Sequence, residues 1–480
     1  MVKETIALSR KKELVILLAL ICIGAALRFF FIGREGLWFD ETLTALSLRM
    51  PFFEMVRERL AAGHSPLYFI ILYPYAKLFG TGELAVRLPS TAASIVSIYV
   101  FWLVAKRLFT DYRTVVFSSS LFVLSAVSIY FGQEARMYSF SVLFMLLSFY
   151  LLLRALDENR LNLWIFYVIS TSAAFNMSSS AIPLIFAQIA FVLIKRRNAV
   201  QYLVALLSIV VLYLPMGIFY LRMRRFAFIE WLPPVTGKVI LEIFYGFGFR
   251  PLPGMKETWI PSFVTTTLEV LSIYFIGALI LWGLVSSFIT VSEKRVDNGK
   301  EKDTALLLIL WLAVPLILEY IYSVVRQPML GPKRYVITLS PAYYLLIGLG
   351  VKRIGMKKLR GALATMVIAL FSFALAGYYS APKREDWRGS IAYIDERLEP
   401  GEVMFGNLST QTLYRYYGKT SDLIILDIRY INTRSFAKGW ILLRDIDHGV
   451  WAGEIETLKE GHSLLLLDDY KGIRLYHFER

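Results

Sequence analysis

Runs of about 17 to 25 apolar residues recur along this chain, each long enough for a helix to cross the hydrocarbon core of a bilayer. About eleven such runs predict spans at 14–32, 89–106, 114–131, 138–153, 162–178, 180–194, 199–220, 264–290, 305–325, 335–351 and 361–379. A hydrophobic share of 57% agrees, and sets the 480 residues outside the soluble globular class. The net charge of +15 does not point to nucleic acid, because the basic residues come in short clusters between apolar runs rather than as one stripe. The one cysteine, Cys22, lies in the first run, which excludes an intramolecular disulfide and a cysteine-based metal site. That run is longer than a signal-peptide core and lacks a small-residue cleavage pattern, so it reads as a retained helix.

Those basic clusters set the expected topology. With the N-terminus in the cytoplasm, the cytoplasmic loops hold Lys106/Arg107/Arg113, Arg154/Arg160, Lys195/Arg196/Arg197, Lys294/Arg295/Lys300/Lys302 and Lys352/Arg353/Lys357/Lys358/Arg360. The opposite side then carries the loop 33–88, a short turn at 132–137, the stretch 221–263, the segment 326–334 and everything after Tyr379. Within loop 33–88, "PFFEMVRERLAAG" places Phe52, Phe53, Val56 and Leu60 along one helical face, with Glu54, Arg57, Glu58 and Arg59 largely elsewhere, the pattern of a helix lying on the membrane surface. Pro51 separates it from the preceding helical segment. Beyond Pro382 the composition turns polar, and "EVMFG", "DLIILDI", "GWILLR" and "HSLLLLDD" read as strands beside the helical "DWRGSIAYIDERL". The expected organisation is a membrane domain over 1–380, with surface helices in its outer loop, and a soluble extracytoplasmic α/β domain over 381–480.

The residues suited to chemistry gather on the outer side. Asp40 and Glu41 in "GLWFDETLTAL" follow the first span, His64 stands in "GHSPLYF", and Glu134 and Arg136 occupy "GQEARMYSF" between two spans. Ionisable groups at that depth are functional candidates. Lys333 and Arg334 in "GPKRYVITLSPAYY", and Arg222, Arg224 and Arg225, are cations on the side where the charge rule disfavours them, and phosphate at a membrane surface is a natural counter-ion. Each has a plainer alternative. Asp40 is a good helix N-cap, Glu134 and Arg136 form a turn salt bridge, His64 is a satisfied loop histidine, and the outer cations snorkel to headgroups.

The order "LWFDE", "HSPLYFIILYPYAKLFGTGELAVRLPS", "GQEARMYS", "RYVITLSPAYYLLIGLG" strongly resembles the GT-C integral-membrane glycosyltransferases of the protein O-mannosyltransferase and aminoarabinose transferase superfamily, over about residues 14 to 380. The resemblance implies a polytopic helical bundle with an extracytoplasmic C-terminal domain, in the cell membrane. It also implies a sugar donor on dolichyl or undecaprenyl phosphate and a hydroxyl acceptor on a glycan, lipid or protein. Asp40 falls at the family's catalytic acidic position, Glu41 completes its acidic pair, and Glu134 matches a second acidic position. His64 matches a suspected metal or phosphate contact, leaving room for a divalent ion although no tight ligand motif is present. Where some relatives have a phosphate-binding lysine this chain has Ser65, so another cation must serve.

On that reading Asp40 is the base for the acceptor hydroxyl, and Arg136, Lys333, Arg334 and, more remotely, Arg28 neutralise the departing lipid phosphate. A single displacement inverts the anomeric carbon, whereas two carboxylates close together can serve a retaining mechanism, and the sequence does not give their separation. The stretch 224–254, rich in aromatics, would cover the lipid groove or form an interfacial belt. The rival from another class is a lipid-linked-sugar flippase or transporter, which would place its ionisable groups near the bilayer midplane, often in repeated halves, a pattern this sequence lacks.

Overall fold

A computed structural model describes residues 10–222, 235–248, 262–289, 298–326, 330, 333–380, 383–420, 423–431, 436–459, 462–467 and 470–480. The first helices in chain order are α1 (Arg10–Phe29), α2 (Phe39–Arg49), α3 (Phe52–Ala61), α4 (Leu67–Phe79), α5 (Glu83–Leu108), α6 (Tyr112–Leu124) and α7 (Ala126–Gly132). There follow α8 (Tyr138–Glu158), α9 (Leu161–Met177), α10 (Pro183–Lys195), α11 (Ala199–Arg222), α12 (Lys238–Phe247), α13 (Ser262–Ile289) and α14 (Asn298–Val325). The rest are α15 (Lys333–Val336), α16 (Ser340–Lys352), α17 (Lys357–Ser380), α18 (Trp387–Arg397), α19 (Leu408–Tyr417), α20 (Asp445–His448) and α21 (Ala452–Lys459).

The chain forms two compact units. One comprises Met1–Phe30, Val56–Leu72 and Arg87–Ala381, the other Phe31–Met55, Tyr73–Val86 and Pro382–Arg480. The outer loop, which the sequence attaches to the membrane part, therefore divides between them.

The first unit is a bundle of apolar helices, and the protein is a multi-pass membrane protein. Among the described residues, seven helical segments are long and apolar enough to cross a membrane, or eight if α6 and α7 make one bent span, while α4, α9 and α10 are shorter apolar helices. The predicted continuous span 114–131 is in fact bent by 54° at Ser125. Ser125 adopts an extended conformation, its hydroxyl accepts from the Ser128 amide at 3.2 Å to cap α7, and it bonds the Tyr344 hydroxyl at 2.5 Å. A hydroxyl competing for the backbone breaks the helix without disturbing the apolar run that predicted it. The predicted span 335–351 starts as α15, passes through a 3₁₀ turn at Ile337–Leu339 and continues as α16, with Pro341 in its first turn. Glycines sit where α16 passes its neighbours closely. A Cβ on Gly350 would stand 2.1 Å from the Leu279 carbonyl oxygen of α13, and one on Gly348 2.0 Å from Ser118 Oγ of α6.

The second unit holds a five-stranded sheet of β1 (Val403–Gly406), β2 (Ile424–Asp427), β3 (Lys438–Arg444), β4 (Ser463–Leu467) and β5 (Ile473–Glu479), in the order β2-β1-β3-β5-β4. The first three in that order run parallel, and β5 pairs antiparallel with both β3 and β4. Alternate residues serve opposite faces. Met404, Trp440 and Leu442 pack with Trp387, Ile391 and Leu413 of α18 and α19, while Phe405, Ile441 and Leu443 pack with Ile455 and Leu458 of α21. Phe39 of α2 packs against the first of these cores, so this outer-loop helix is built onto the sheet domain.

In α3 the face turned into the protein is not the Phe52, Phe53, Val56 and Leu60 face expected to lie on the membrane surface. Met55 and Arg59 are buried, one turn apart, whereas Phe53 is 83% exposed and Phe52, Val56 and Leu60 are half-buried. Phe52 makes an edge contact with Tyr73 at 5.2 Å. Arg59 is drawn inward because it pairs with the Glu58 carboxylate and lies 5.3 Å over the Phe69 ring, so its charge is met without water.

Candidate functional site

In the second unit, α2 begins at Phe39, with Trp38 as its N-cap. Asp40 therefore lies inside the first turn rather than at the cap, and Glu41 accepts from the Trp38 amide at 3.5 Å. Acids here suit the positive end of the helix dipole. The two carboxylates are housed differently: Glu41 is fully buried and faces Arg384 Nε at 3.5 Å, while Asp40 is half-buried. A buried carboxylate requires such a cation.

The loop before α2 is held by the start of the C-terminal segment. Glu35 accepts from the backbone amides of Lys383 and Arg384 at 3.0 and 2.9 Å, and its carboxylate lies 3.7 Å from Lys383 Nζ. Burial holds the Lys383 ammonium below its usual range, with Glu35 opposing that shift and Arg384 and Arg34 adding to it. Arg388 spans Glu83 and the Arg34 carbonyl, both at 2.8 Å. Tyr417 donates to Glu83 at 2.5 Å and accepts from the Leu37 amide at 2.5 Å, so burial and that carboxylate push its phenol well above the ordinary value. Gly36 fits because a Cβ there would come within 3.0 Å of the Tyr417 hydroxyl and 3.1 Å of Arg388 Cβ. Lys383, Arg384 and Arg388 went unread in the sequence. Their signal is the basic run "PKREDWR" opening a polar segment, but the acids it meets lie more than 300 positions earlier.

In the first unit, the turn "GQEARMYS" is built from its side chains outward. Gln133 Nε2 donates to the carbonyls of Arg28 (3.0 Å) and Phe30 (2.7 Å), satisfying the open end of α1, while its Oε1 accepts from the Tyr378 hydroxyl at 2.6 Å. On the other side, Thr91 donates to the Gly132 carbonyl at 2.8 Å and Ser90 to that of Arg136 at 2.9 Å. Glu134 and Arg136 are consequently buried, 1% and 3% exposed. Tyr68 of α4 bonds Ser90 at 3.2 Å, which links the helix after His64 to the same turn. Arg28 is fully buried, donating from Nε to Ser94 Oγ at 2.7 Å and from Nη1 to the Gly24 carbonyl at 3.1 Å. It is therefore fixed inside the bundle against α5 and the turn, not set at an open rim.

The remaining candidates are placed as follows. The His64 amide donates to the Arg59 carbonyl at 2.9 Å, and its ring lies 6.5 Å from that of Phe69. Among the described residues no group of three or more His, Cys, Asp or Glu is gathered to hold a metal ion. Arg334, in α15, has its guanidinium 5.2 Å over the Tyr335 ring. Lys333 opens α15, but its side chain lies outside the described residues, as do Arg224, Arg225 and most of the stretch 224–254. Arg222 is exposed at the end of α11. The structure thus brings together Arg28, Glu134 and Arg136 through Gln133, Ser90, Thr91 and Ser94. In the other unit it sets Asp40 beside Glu41 and Arg384.

Residues 63–219 match the family model described as dolichyl-phosphate-mannose-protein mannosyltransferase. No curated protein sequence matches the chain. Three solved structures are similar to it. ArnT from Cupriavidus metallidurans in the apo state matches with a TM-score of 0.56 at 13% identity, over 98% of each chain. The same protein bound to undecaprenyl phosphate matches with a TM-score of 0.54 at 12% identity, again over 98% of each chain. The Archaeoglobus fulgidus oligosaccharyltransferase, tethered to an acceptor peptide containing the NVT sequon, matches with a TM-score of 0.53 at 11% identity, over 97% of this chain and 74% of its own. At these identities the likeness is one of fold.

Proposed function

We infer that this chain, a member of the GT-C superfamily of integral-membrane glycosyltransferases, moves a sugar from a polyprenyl-phosphate carrier to a hydroxyl acceptor at the outer membrane face. The observation that carries the reading is the contrast at the start of α2: Glu41 is committed to a cap and a cation, whereas Asp40 beside it remains half-exposed. An acceptor hydroxyl is a weak nucleophile at neutral pH and requires a base in hydrogen-bond reach, which is the role assigned to Asp40. Dolichyl or undecaprenyl phosphate is the carrier class, supported by the lipid in the ArnT complex and by the family description.

As the glycosidic bond breaks, charge develops on the lipid phosphate. Arg136, Arg334 and Lys333 are assigned to meet it, and because the phosphate is already a good leaving group no acid is needed on that side. Arg28 is a positioning residue that holds the turn bearing Glu134 and Arg136. Glu134 orients the sugar hydroxyls, and the single displacement inverts the anomeric carbon. Among the described residues, acids and histidines do not gather into a set of three or more that could ligate a metal ion. The basic loops orient the N-terminus to the cytoplasm and the sheet domain outside.

The experiment is incubation of the purified protein with polyprenyl-phosphate sugars, comparing wild type with Asp40→Asn. Transfer should fall by a factor of about 10² to 10⁴ while lipid binding persists. Equal turnover by the variant would overturn the assignment of the base, and carrier translocation without transfer would favour a flippase.

A further inference from the structure

Where α5, α8 and α10 end and α14 begins, the first unit leaves a cleft of about 460 Å³ that the proposed reaction does not use. Five cations line it: Lys106, Arg107, Lys195, Arg197 and Lys300. Only two carboxylates, Asp157 and Asp303, lie among them. Asp157 is shared between Arg107 and Arg197, the latter at 2.7 Å, and Asp303 takes Lys195 at 2.6 Å. Lys106 pairs outside the lining with Glu13. Lys300, exposed in the first turn of α14, has no ion pair among the described residues. With Glu13 counted against Lys106, five positive groups against three negative leave an excess of two at the cleft.

The helix ends explain part of this clustering and predict the sign of a ligand. Helix C-terminal ends, with their partial negative charge, favour the cations in and just beyond the last turns of α5 and α10, whereas the N-terminal end of α14 favours an anion. The lining also holds apolar side chains, among them Leu153, Phe191 and Leu307. Thr304, also in the lining, donates to the Leu108 carbonyl at 3.0 Å, tying α14 to the end of α5.

We propose that this cleft binds the phosphate-bearing headgroup of an anionic membrane lipid, with the first carbons of its chains against Leu153, Phe191 and Leu307. The cleft lies at the ends of α5 and α8, two of the segments able to span, which is the depth of lipid headgroups. The volume lies within the range of ligand-sized sites. A free phosphate would engage the cations alone and leave the apolar side chains unused. The inference depends on neither the donor nor the acceptor assigned above, because every residue it uses belongs to the opposite ends of these helices.

The test is native mass spectrometry of the full-length protein in neutral detergent, titrated with phosphatidylglycerol. Wild type should retain one tightly held anionic lipid in preference to phosphatidylcholine. Lys300→Glu, a reversal at an exposed residue, removes two units of charge difference and should weaken retention about 30-fold. Asp303→Asn should strengthen it several-fold, a gain that no folding defect would produce. Unchanged retention in both variants would overturn the proposal, as would equal retention of phosphatidylcholine. Glycerol phosphate is the competitor for the two sources of phosphate: failure to displace the lipid at millimolar concentration supports a headgroup site that also uses the apolar side chains. Displacement at micromolar concentration would overturn the lipid in favour of a free phosphate.

Discussion

Asp40 and Glu41 are adjacent, yet substitution at each should be read by a different instrument. Glu41→Gln removes the fully buried carboxylate that faces the Arg384 guanidinium, so thermal unfolding should reveal a loss of about 3 kcal/mol, larger than that of Asp40→Asn, whose carboxylate is half-buried. If Glu41→Gln unfolds at the wild-type temperature, the pair is not a support. Glu402 in the sheet domain gives a pH test. Burial raises its pKa, but the Glu399 amide, His477 at 2.8 Å and Trp440 at 2.9 Å outweigh that and hold its carboxyl below the usual range. Its folded value is depressed, so its contribution is present above the unfolded value of 4.5 and lost as pH falls through the folded value. Acid titration of sheet-domain unfolding should therefore steepen below pH 4.5 in wild type and flatten in Glu402→Gln. The candidate acids could be found in the sequence because charged residues beside long apolar runs are conspicuous. Their neighbours could not: Glu35 and Lys383 are 348 positions apart, and no local pattern encodes such a pairing.

At the scale of elements, apolar periodicity located the helices but not their interruptions. The bend at Ser125 rests on a single hydroxyl whose partners include Tyr344, 219 positions away. In α3 the burial of Arg59, which lies off the apolar face, rests on Phe69, which supplies a π face for its guanidinium. Helix contacts supply the prediction at this level. Gly350→Ala places a methyl group 2.1 Å from the Leu279 carbonyl, so α16 and α13 must separate. Thermal stability in detergent should drop by about 1 to 3 kcal/mol. The same change at Gly361, whose Cβ would meet nothing within 4 Å, is the control. Equal effects at the two positions would show that the close crossing does not limit stability.

For the whole molecule, the division into units has a direct consequence. Segments 31–55 and 73–86 pack with the sheet domain, held by Glu35, Glu41, Glu83 and Tyr417. A chain truncated after Ser380 should keep a membrane-inserted bundle but expose the loop around Gly36 to protease, and lose transfer activity with it. Limited proteolysis followed by mass mapping checks this, and a loop as resistant as in the full chain would refute the dependence. The amino-acid sequence alone determined that the chain lives in a bilayer and where acids and cations are available along it, because bilayer thickness, helix rise and charge placement act locally along the chain. Tertiary structure decided which carboxylate is fully buried against a cation and which is half-buried, which arginines are locked inside, and that the C-terminal segment holds the first loop. Those outcomes depend on partners hundreds of residues apart, whose meeting is fixed by packing and by the cost of leaving a buried charge unmatched.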